Sequence, residues 1–440
     1  MRLLSLLLCI MLVIFLYIID IKRQKGVSTA LWVPLFWMLI LYSRSISEWL
    51  NPGVSIELIS STSLDEGNAL DRNISILFMA VGILILLTRK ITWKGIIQNN
   101  GWIFWLYYYC LISVLWSDQP IISIKRWIRD LGNIIMVLVV LTDQQPMDAF
   151  KTLMRRCFYI LIPLSVVFIR WYSEFGRYWG PFGGEPLYVG VSTGKNGLGQ
   201  ICMIGGLFFV WETFEQFKKG ISGRDRFYFY INIFYIVMIA YLFHKANSQT
   251  SFMTFLIGIV LIMSFSIIKK QRKYISLFII HVVLILAVIQ MTNIVDVFFI
   301  SIGRDPTISG RTELWTQLLE MDYNPLIGTG YRSFWAGDRL SALWADYWWH
   351  PKQAHSGYLE TYLNLGMIGL FSLLATLFST YNKSKQKLIA NLEIGKLQMA
   401  ILFMLLIYNY TEASFIISTP LWFLFLLIAI DTPQQMVPAR

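Results

Sequence analysis

Apolar residues in this chain come in long unbroken runs separated by short polar stretches, with no sustained alternation. Runs of about 16 to 22 residues match the ~20 that a helix rising ~1.5 Å per residue needs to cross a ~30 Å hydrocarbon layer. Candidate spans fall at 3–21, 29–46, 73–88, 101–116, 127–142, 156–171, 196–212, 227–243, 247–267, 274–291, 356–380, 395–411 and 414–431. The pattern predicts an all-α polytopic integral membrane protein with about 12–13 transmembrane helices. A membrane barrel would instead show short alternating strands, because each strand faces lipid on one side and the lumen on the other. The first run follows Arg2 and lacks a small-residue cleavage site before Lys22, so it reads as a retained helix and not a secretion signal.

The polar stretches between runs alternate in charge. Every second one is basic, from Lys22, Arg23 and Lys25, through Arg89, Lys90 and Lys94 and then Lys151, Arg155 and Arg156, to Lys383, Lys385, Lys387 and Lys396. Basic residues stay with cytoplasmic loops, so these face inside and the intervening loops face outside. With thirteen spans the N-terminus falls outside. Three outside segments exceed a minimal connection: 43–72, 171–195 and 292–355. The third is the longest, and it is too rich in Trp, Tyr and Leu for disorder. Within it Leu314, Trp315, Leu318 and Leu319 recur at helical spacing beside Arg311, Glu313 and Gln317, which predicts an amphipathic helix near the membrane surface. The chain thus divides into N-terminal helices over 1–291, the large outside loop 292–355, and C-terminal helices with a cytoplasmic tail over 356–440.

Composition agrees. Apolar residues make up 56% of the chain and charged ones 14%, against the roughly 25% charged of soluble domains. The formal charge of +11 is mostly topological under this reading and implies no nucleic-acid partner. Cys9, Cys110, Cys157 and Cys202 all lie in or beside apolar runs without paired spacing, as small buried residues do.

Candidate chemistry gathers outside. His350 and His355 close the long loop, and Arg311 lies near its middle. A neutral imidazole accepts a proton from a hydroxyl, and a guanidinium fork holds phosphate bidentately. Interfacial His and Arg also serve as plain anchors, and that reading stands beside the first. Arg170, Arg177 and Lys195 bracket the glycine-rich second loop. Arg170 is read as a headgroup anchor, while Lys195 is open between anchor and phosphate ligand. Lys125, Arg126 and Arg129 share a helix face on the outside, and a surface helix on anionic headgroups is preferred there to a phosphate-holding patch. Trp344, Tyr347, Trp348 and Trp349 are denser than membrane anchoring requires and suit a sugar-contacting wall. The turn Pro325-Leu326-Ile327-Gly328-Thr329-Gly330 is read as structural, since G-x-G outside a strand-turn-helix context is a weak signal. No metal site is expected: His350, His355 and Asp346 would have to converge.

The set G-R-T-E-L-W at 310–315, N-P-L-I-G-T-G-Y at 324–331 and A-H-S-G-Y-L-E at 354–360, on the longest outside loop of a many-span chain, resembles the O-antigen ligase and polysaccharide polymerase superfamily. The likeness is strongest over 301–375. It continues more weakly through Tyr178-Trp179-Gly180-Pro181-Phe182 and Gly190 to Gly199, a segment similar to the exopolysaccharide-polymerisation branch. The resemblance implies a cofactor-free, metal-independent glycosyltransferase of the bacterial inner membrane, working on the periplasmic side with an undecaprenyl-diphosphate-linked glycan as donor. It implies an acceptor glycan or lipid and other polysaccharide assembly proteins as partners. His355 matches the family histidine and Arg311 the arginine of the G-R motif. Many ligases carry a second arginine near 245–250, where this chain has only Lys245; that departure favours a polymerase over a ligase. Lys195, Lys245, Arg177, His350, Trp348 and Trp349 are the expected substrate-binding residues. A transporter of lipid-linked sugars is the rival, disfavoured because no internal repeat is evident and the ionisable residues concentrate in loops.

Overall fold

A computed structural model describes residues 1–24, 26–51, 68–179, 186–221, 223–267, 309–347 and 350–433. The expected span 274–291, the start of the long loop, Trp348 and Trp349 lie outside the described residues. The described residues are mostly helical, with one short hairpin pairing Arg177 with Tyr188 and Tyr178 with Leu187. Among the described residues eight helices are long and apolar enough to cross a membrane, and three shorter apolar ones cover Thr29–Tyr42, Gly101–Trp116 and Pro420–Ala429. The mixed helix Pro120–Leu141 joins them. The protein is an all-α polytopic membrane protein, as the apolar runs require.

Burial sorts the helices into an inner and an outer set. Pro146–Trp171, Lys195–Lys219 and Leu392–Thr411 are mostly buried, whereas Arg2–Arg23 and Ala69–Thr88 are mostly exposed. The outer set turns Leu3, Leu7, Ile14, Leu77 and Leu84 outward, as do Phe371 and Phe378 of Gly357–Ala390. An apolar outer face of that extent suits lipid and not water.

Charged contacts define the two ends of the bundle. At one end Lys151 and Lys219 meet Glu393, and Arg89 meets Asp143. Deeper at the same end, Arg155 pairs with Asp20 and Glu212 while Arg156 pairs with Asp20. This corrects two expectations. Arg155 and Arg156 are not loop residues, because their helix starts at Pro146, about ten residues before the expected span. Ionisable residues concentrate in loops less than expected: these four are buried within helices and mutually neutralised, which is the condition under which charge is retained in an apolar interior.

The opposite end is built by the long loop. Helix Ser309–Glu320 forms where the amphipathic spacing predicts. Its Leu314 and Leu318, however, pack with Phe334, Leu343, Ala354 and Leu363 in a small core of the loop's own. The apolar face is therefore spent on protein and not on a membrane surface, with Leu319 left exposed.

Helix Gly357–Ala390 is broken at Gly366, whose φ of 66° and ψ of −166° are not helical. The break strands backbone groups, and the N-P-L-I-G-T-G turn takes them up. Met367 and Ile368 N–H donate to the carbonyls of Pro325 and Leu326, and the N–H groups of Thr329 and Gly330 donate to Leu363 and Asn364. A Cβ on Gly366 would lie 2.3 Å from the Leu326 carbonyl, and one on Gly328 2.5 Å from that of Asn364. Two glycines at positive φ thus let two backbones touch. The structural reading of this motif holds, and it fixes the loop to the helix that follows it.

Candidate functional site

Glu412 is the only acidic residue between Glu393 and Asp431, and it stands where helix Leu392–Thr411 gives way to extended chain. The irregular segment from Glu412 to Thr419 turns back over the bundle before Pro420 opens the last helix. Within the expected span 414–431 the helix therefore begins only at Pro420. The Glu412 carbonyl accepts from Gly357 N–H, so its backbone is pinned to the start of the next helix in the site.

The Glu412 side chain is 8% exposed and gathers three others. Asn196 Nδ2 donates to its Oε1 at 2.8 Å, and Arg311 Nη2 approaches that oxygen at 3.5 Å. Nδ1 of His355 lies 3.6 Å from Oε2. Arg311 also donates to the Thr411 carbonyl at 2.8 Å, and Ser248 donates to Asn196. Each partner arrives by a different route. Arg311 is carried by the helix whose Leu314 and Leu318 fill the loop core. His355 is held by its neighbour Ala354, which is buried in that core and whose carbonyl accepts from Trp315 Nε1 at 2.7 Å. Asn196 comes from the second position of helix Lys195–Lys219. Charged and polar groups from four separate stretches thus converge on one buried carboxylate.

Beside this cluster opens a cavity of about 410 Å³ lined by Arg126, Arg332, Trp335, Lys352, Glu360 and Phe415, among others. Gln353 borders both, lining the cavity and lying 3.5 Å from His355 Nδ1. Behind the wall Asp130, fully buried, pairs with Arg332 at 3.0 Å and accepts from the hydroxyls of Tyr331 and Ser418. Five described non-glycine residues have positive φ, and three of them, Arg332, His355 and Ile416, surround this site. Such backbone is costly, above all for β-branched Ile416, and it concentrates at functional sites.

The remaining expected residues scatter. Lys195 is exposed at the first position of its helix. Lys245 and Arg177 both lie over the ring of Tyr188, at 5.0 and 5.4 Å from its centroid. Arg177 also donates to the Ile169 carbonyl. His350 stacks on Trp344 with ring centroids 5.0 Å apart, and Lys352 sits against the same indole. This corrects the sugar-wall reading at Trp344, whose ring already carries two neighbours. It also separates the surroundings of the two histidines, which sequence proximity had joined. The surface-helix reading of Lys125, Arg126 and Arg129 is corrected for Arg126, which lines the cavity and donates to the Arg332 carbonyl.

Sequence reasoning missed Glu412, Arg332 and Lys352. Glu412 had a usable signal, since a lone acid inside an otherwise apolar stretch marks a functional position by default. Arg332 and Lys352 had none, being basic residues in a long mixed loop.

The fold and this constellation define a multi-pass α-helical membrane protein with a polar site where its longest loop meets the bundle. Residues 231–374 match the protein family described as O-Antigen ligase. The chain is also similar to the exopolysaccharide production protein ExoQ of Rhizobium meliloti (strain 1021), 24% identical over 307 residues. That match covers 66% of this chain and 66% of the relative, so the chain spans just under two thirds of that protein's length. Both matches support the likeness to the O-antigen ligase and ExoQ-like proteins that the motifs over 301–375 suggested.

Proposed function

We propose that this protein serves polysaccharide biosynthesis as a glycan polymerase on the periplasmic face of a bacterial inner membrane. The single observation that carries the reading is the convergence of His355, Arg311 and Asn196 on the buried carboxylate of Glu412. The donor is a glycan on undecaprenyl diphosphate, and the acceptor is a sugar hydroxyl of another lipid-linked repeat unit. The acceptor oxygen attacks the anomeric carbon as the bond from that carbon to the diphosphate oxygen breaks with inversion. His355 takes the hydroxyl proton, and the bonding pair leaves with the diphosphate. Glu412, facing Nδ1, orients the ring so that Nε2 meets the hydroxyl and supports the imidazolium as it forms, the division of labour of a base and its orienting carboxylate. Arg311 supplies positive charge where the leaving group becomes anionic. The glycosyl-phosphate bond itself drives the reaction, so no nucleotide is consumed in it.

The family description as O-Antigen ligase supports a second reading, in which the same chemistry delivers the glycan to a lipid or protein acceptor. One experiment separates them: gel analysis of surface polysaccharide and of undecaprenyl-linked intermediates in a deletion strain complemented with wild type or His355→Ala. A polymerase leaves single repeat units and no long chains when lost, and His355→Ala reproduces the loss while still reaching the membrane, with transfer down about 10²- to 10⁴-fold. Long chains that persist on the carrier lipid make it a ligase. Unchanged glycan profiles refute glycosyl transfer and return the question to transport.

A further inference from the structure

The end of the bundle away from Glu412 holds a second cavity, which glycan transfer does not use. It measures about 610 Å³, within the range of small-molecule sites. It lies where helix Pro146–Trp171 starts, where Gly357–Ala390 gives way to Leu392–Thr411, and where Pro420–Ala429 ends. The basic loops gather at this end, so the charge rule puts it at the cytoplasmic surface, level with the lipid headgroups. The lining changes character with depth. Lys387 and Asp431, near helix ends, keep 34% and 41% side-chain exposure, and Asp148 joins them at the mouth. Leu397, Ile401 and Leu427, further along their helices, are buried and form the floor. Beyond the floor a tight apolar seam continues inward past Leu397 and Ile401 to Met404 and Leu424.

Two polar groups on this lining lack partners. Gln398 is only 8% exposed, yet its Oε1 has no hydrogen-bond donor among the described residues. A buried acceptor left unsatisfied is costly, and a ligand that brings an N–H or O–H removes the cost. Asp148 has no ion pair among the described residues, because Lys151, one turn further on, is taken by Glu393. Lys387 meets Asp431 at 3.4 Å. The mouth therefore sets two carboxylates against one ammonium, at an end of the protein where basic residues otherwise dominate. A matching ligand carries an N–H-bearing cation for Asp148 and Gln398, an anionic group for Lys387, and an apolar body for the floor.

We propose that this cavity seats a zwitterionic phospholipid with a primary-ammonium headgroup, its ammonium at Asp148 and Gln398, its phosphate at Lys387 and an acyl chain along Leu397, Ile401 and Leu427. The bilayer presents such a molecule at the same depth and in the same orientation, polar end outward. An anionic lipid would set its charge against Asp148 and Asp431, and a small polar metabolite would leave the apolar floor uncovered. The inference stands apart from the glycan-transfer reading, since none of these residues belongs to the site around Glu412.

The test is native mass spectrometry of the full-length, delipidated protein, titrated separately with dioleoyl phosphatidylethanolamine, phosphatidylcholine and phosphatidylglycerol. Phosphatidylcholine keeps both charges but has no N–H to donate, and phosphatidylglycerol keeps hydroxyl donors but has no cation. The first phosphatidylethanolamine should bind about tenfold more tightly than either of the others. Two variants place the seat. Q398L should weaken phosphatidylethanolamine several-fold while leaving the lipid-free melting temperature equal or higher, because it removes an acceptor that has no partner. D148N should also weaken it several-fold and narrow its lead over phosphatidylglycerol. Equal binding of the three lipids, or unchanged phosphatidylethanolamine affinity in both variants with folded protein recovered, overturns the proposal. The rival occupant is a peptide, and a synthetic copy of residues 434–440 supplies one that joins Met436 and Val437 to Arg440. Binding of that peptide to wild type but not to D148N, with no preference among the lipids, makes the seat a peptide site and overturns the lipid assignment.

Discussion

Replacing Glu412 by glutamine changes one charge and almost no volume, which makes it the sharpest probe of the site. Opposite unit charges about 3.5 Å apart attract by about 4–5 kcal/mol at an effective dielectric near ~20. Both partners of Glu412 keep some contact with water, Arg311 at 21% and His355 at 24% side-chain exposure. Screening and the cost of burying the carboxylate bring the net down to about 1–3 kcal/mol. The neutral amide still accepts from Asn196, so the architecture survives. What is lost is support for the imidazolium that forms as His355 takes the proton. At about 1.4 kcal/mol per factor of ten, transfer should slow roughly 5- to 150-fold. The assay is single-turnover elongation of a synthetic undecaprenyl-diphosphate repeat unit by purified protein, read by mass spectrometry, with thermal unfolding in detergent as the fold control. A Glu412→Gln protein that melts like wild type and elongates within about twofold of it would refute the orienting role.

Other outcomes follow from the packing. Gly366→Ala drives a Cβ into the Leu326 carbonyl at positive φ and should cost about 1–3 kcal/mol or more, seen as a lower melting temperature; Gly101→Ala, where a Cβ meets nothing within 4 Å, should leave it unchanged or slightly raised. Arg155→Ala takes the cation from buried Glu212 and leaves Asp20 with Arg156 alone, and should destabilise by about 3–5 kcal/mol, with poor recovery from membranes. Tyr188→Leu removes the ring shared by Lys245 and Arg177; a fall of about 1 kcal/mol in stability is expected, and no measurable change would mean that neither contact matters.

Much of the site was legible in part. Arg311 and His355 were named from their motifs and do come together, although they lie 44 residues apart in the chain. Lys195-Asn196 was singled out for its lysine, yet it is the asparagine that reaches Glu412. A dipeptide at a helix start presents neighbouring side chains in different directions, and sequence does not say which one faces the bundle. His350 and His355 looked like a pair because they are close in sequence, but His350 turns to Trp344.

The sequence by itself determined that this is a helical membrane protein, because runs of about 20 apolar residues bounded by charge have few other stable states. It also determined that the N-P-L-I-G-T-G turn is structural, since closely spaced glycines in a non-nucleotide context mark a close backbone approach. Only the tertiary structure decided that Glu412 is the hub, that Arg126 and Arg332 share a cavity, and that Arg155 and Arg156 are buried. The physical reason is common to all three. A charge is tolerated away from water only where partners from distant segments meet it, and a linear pattern records the charge but not the meeting.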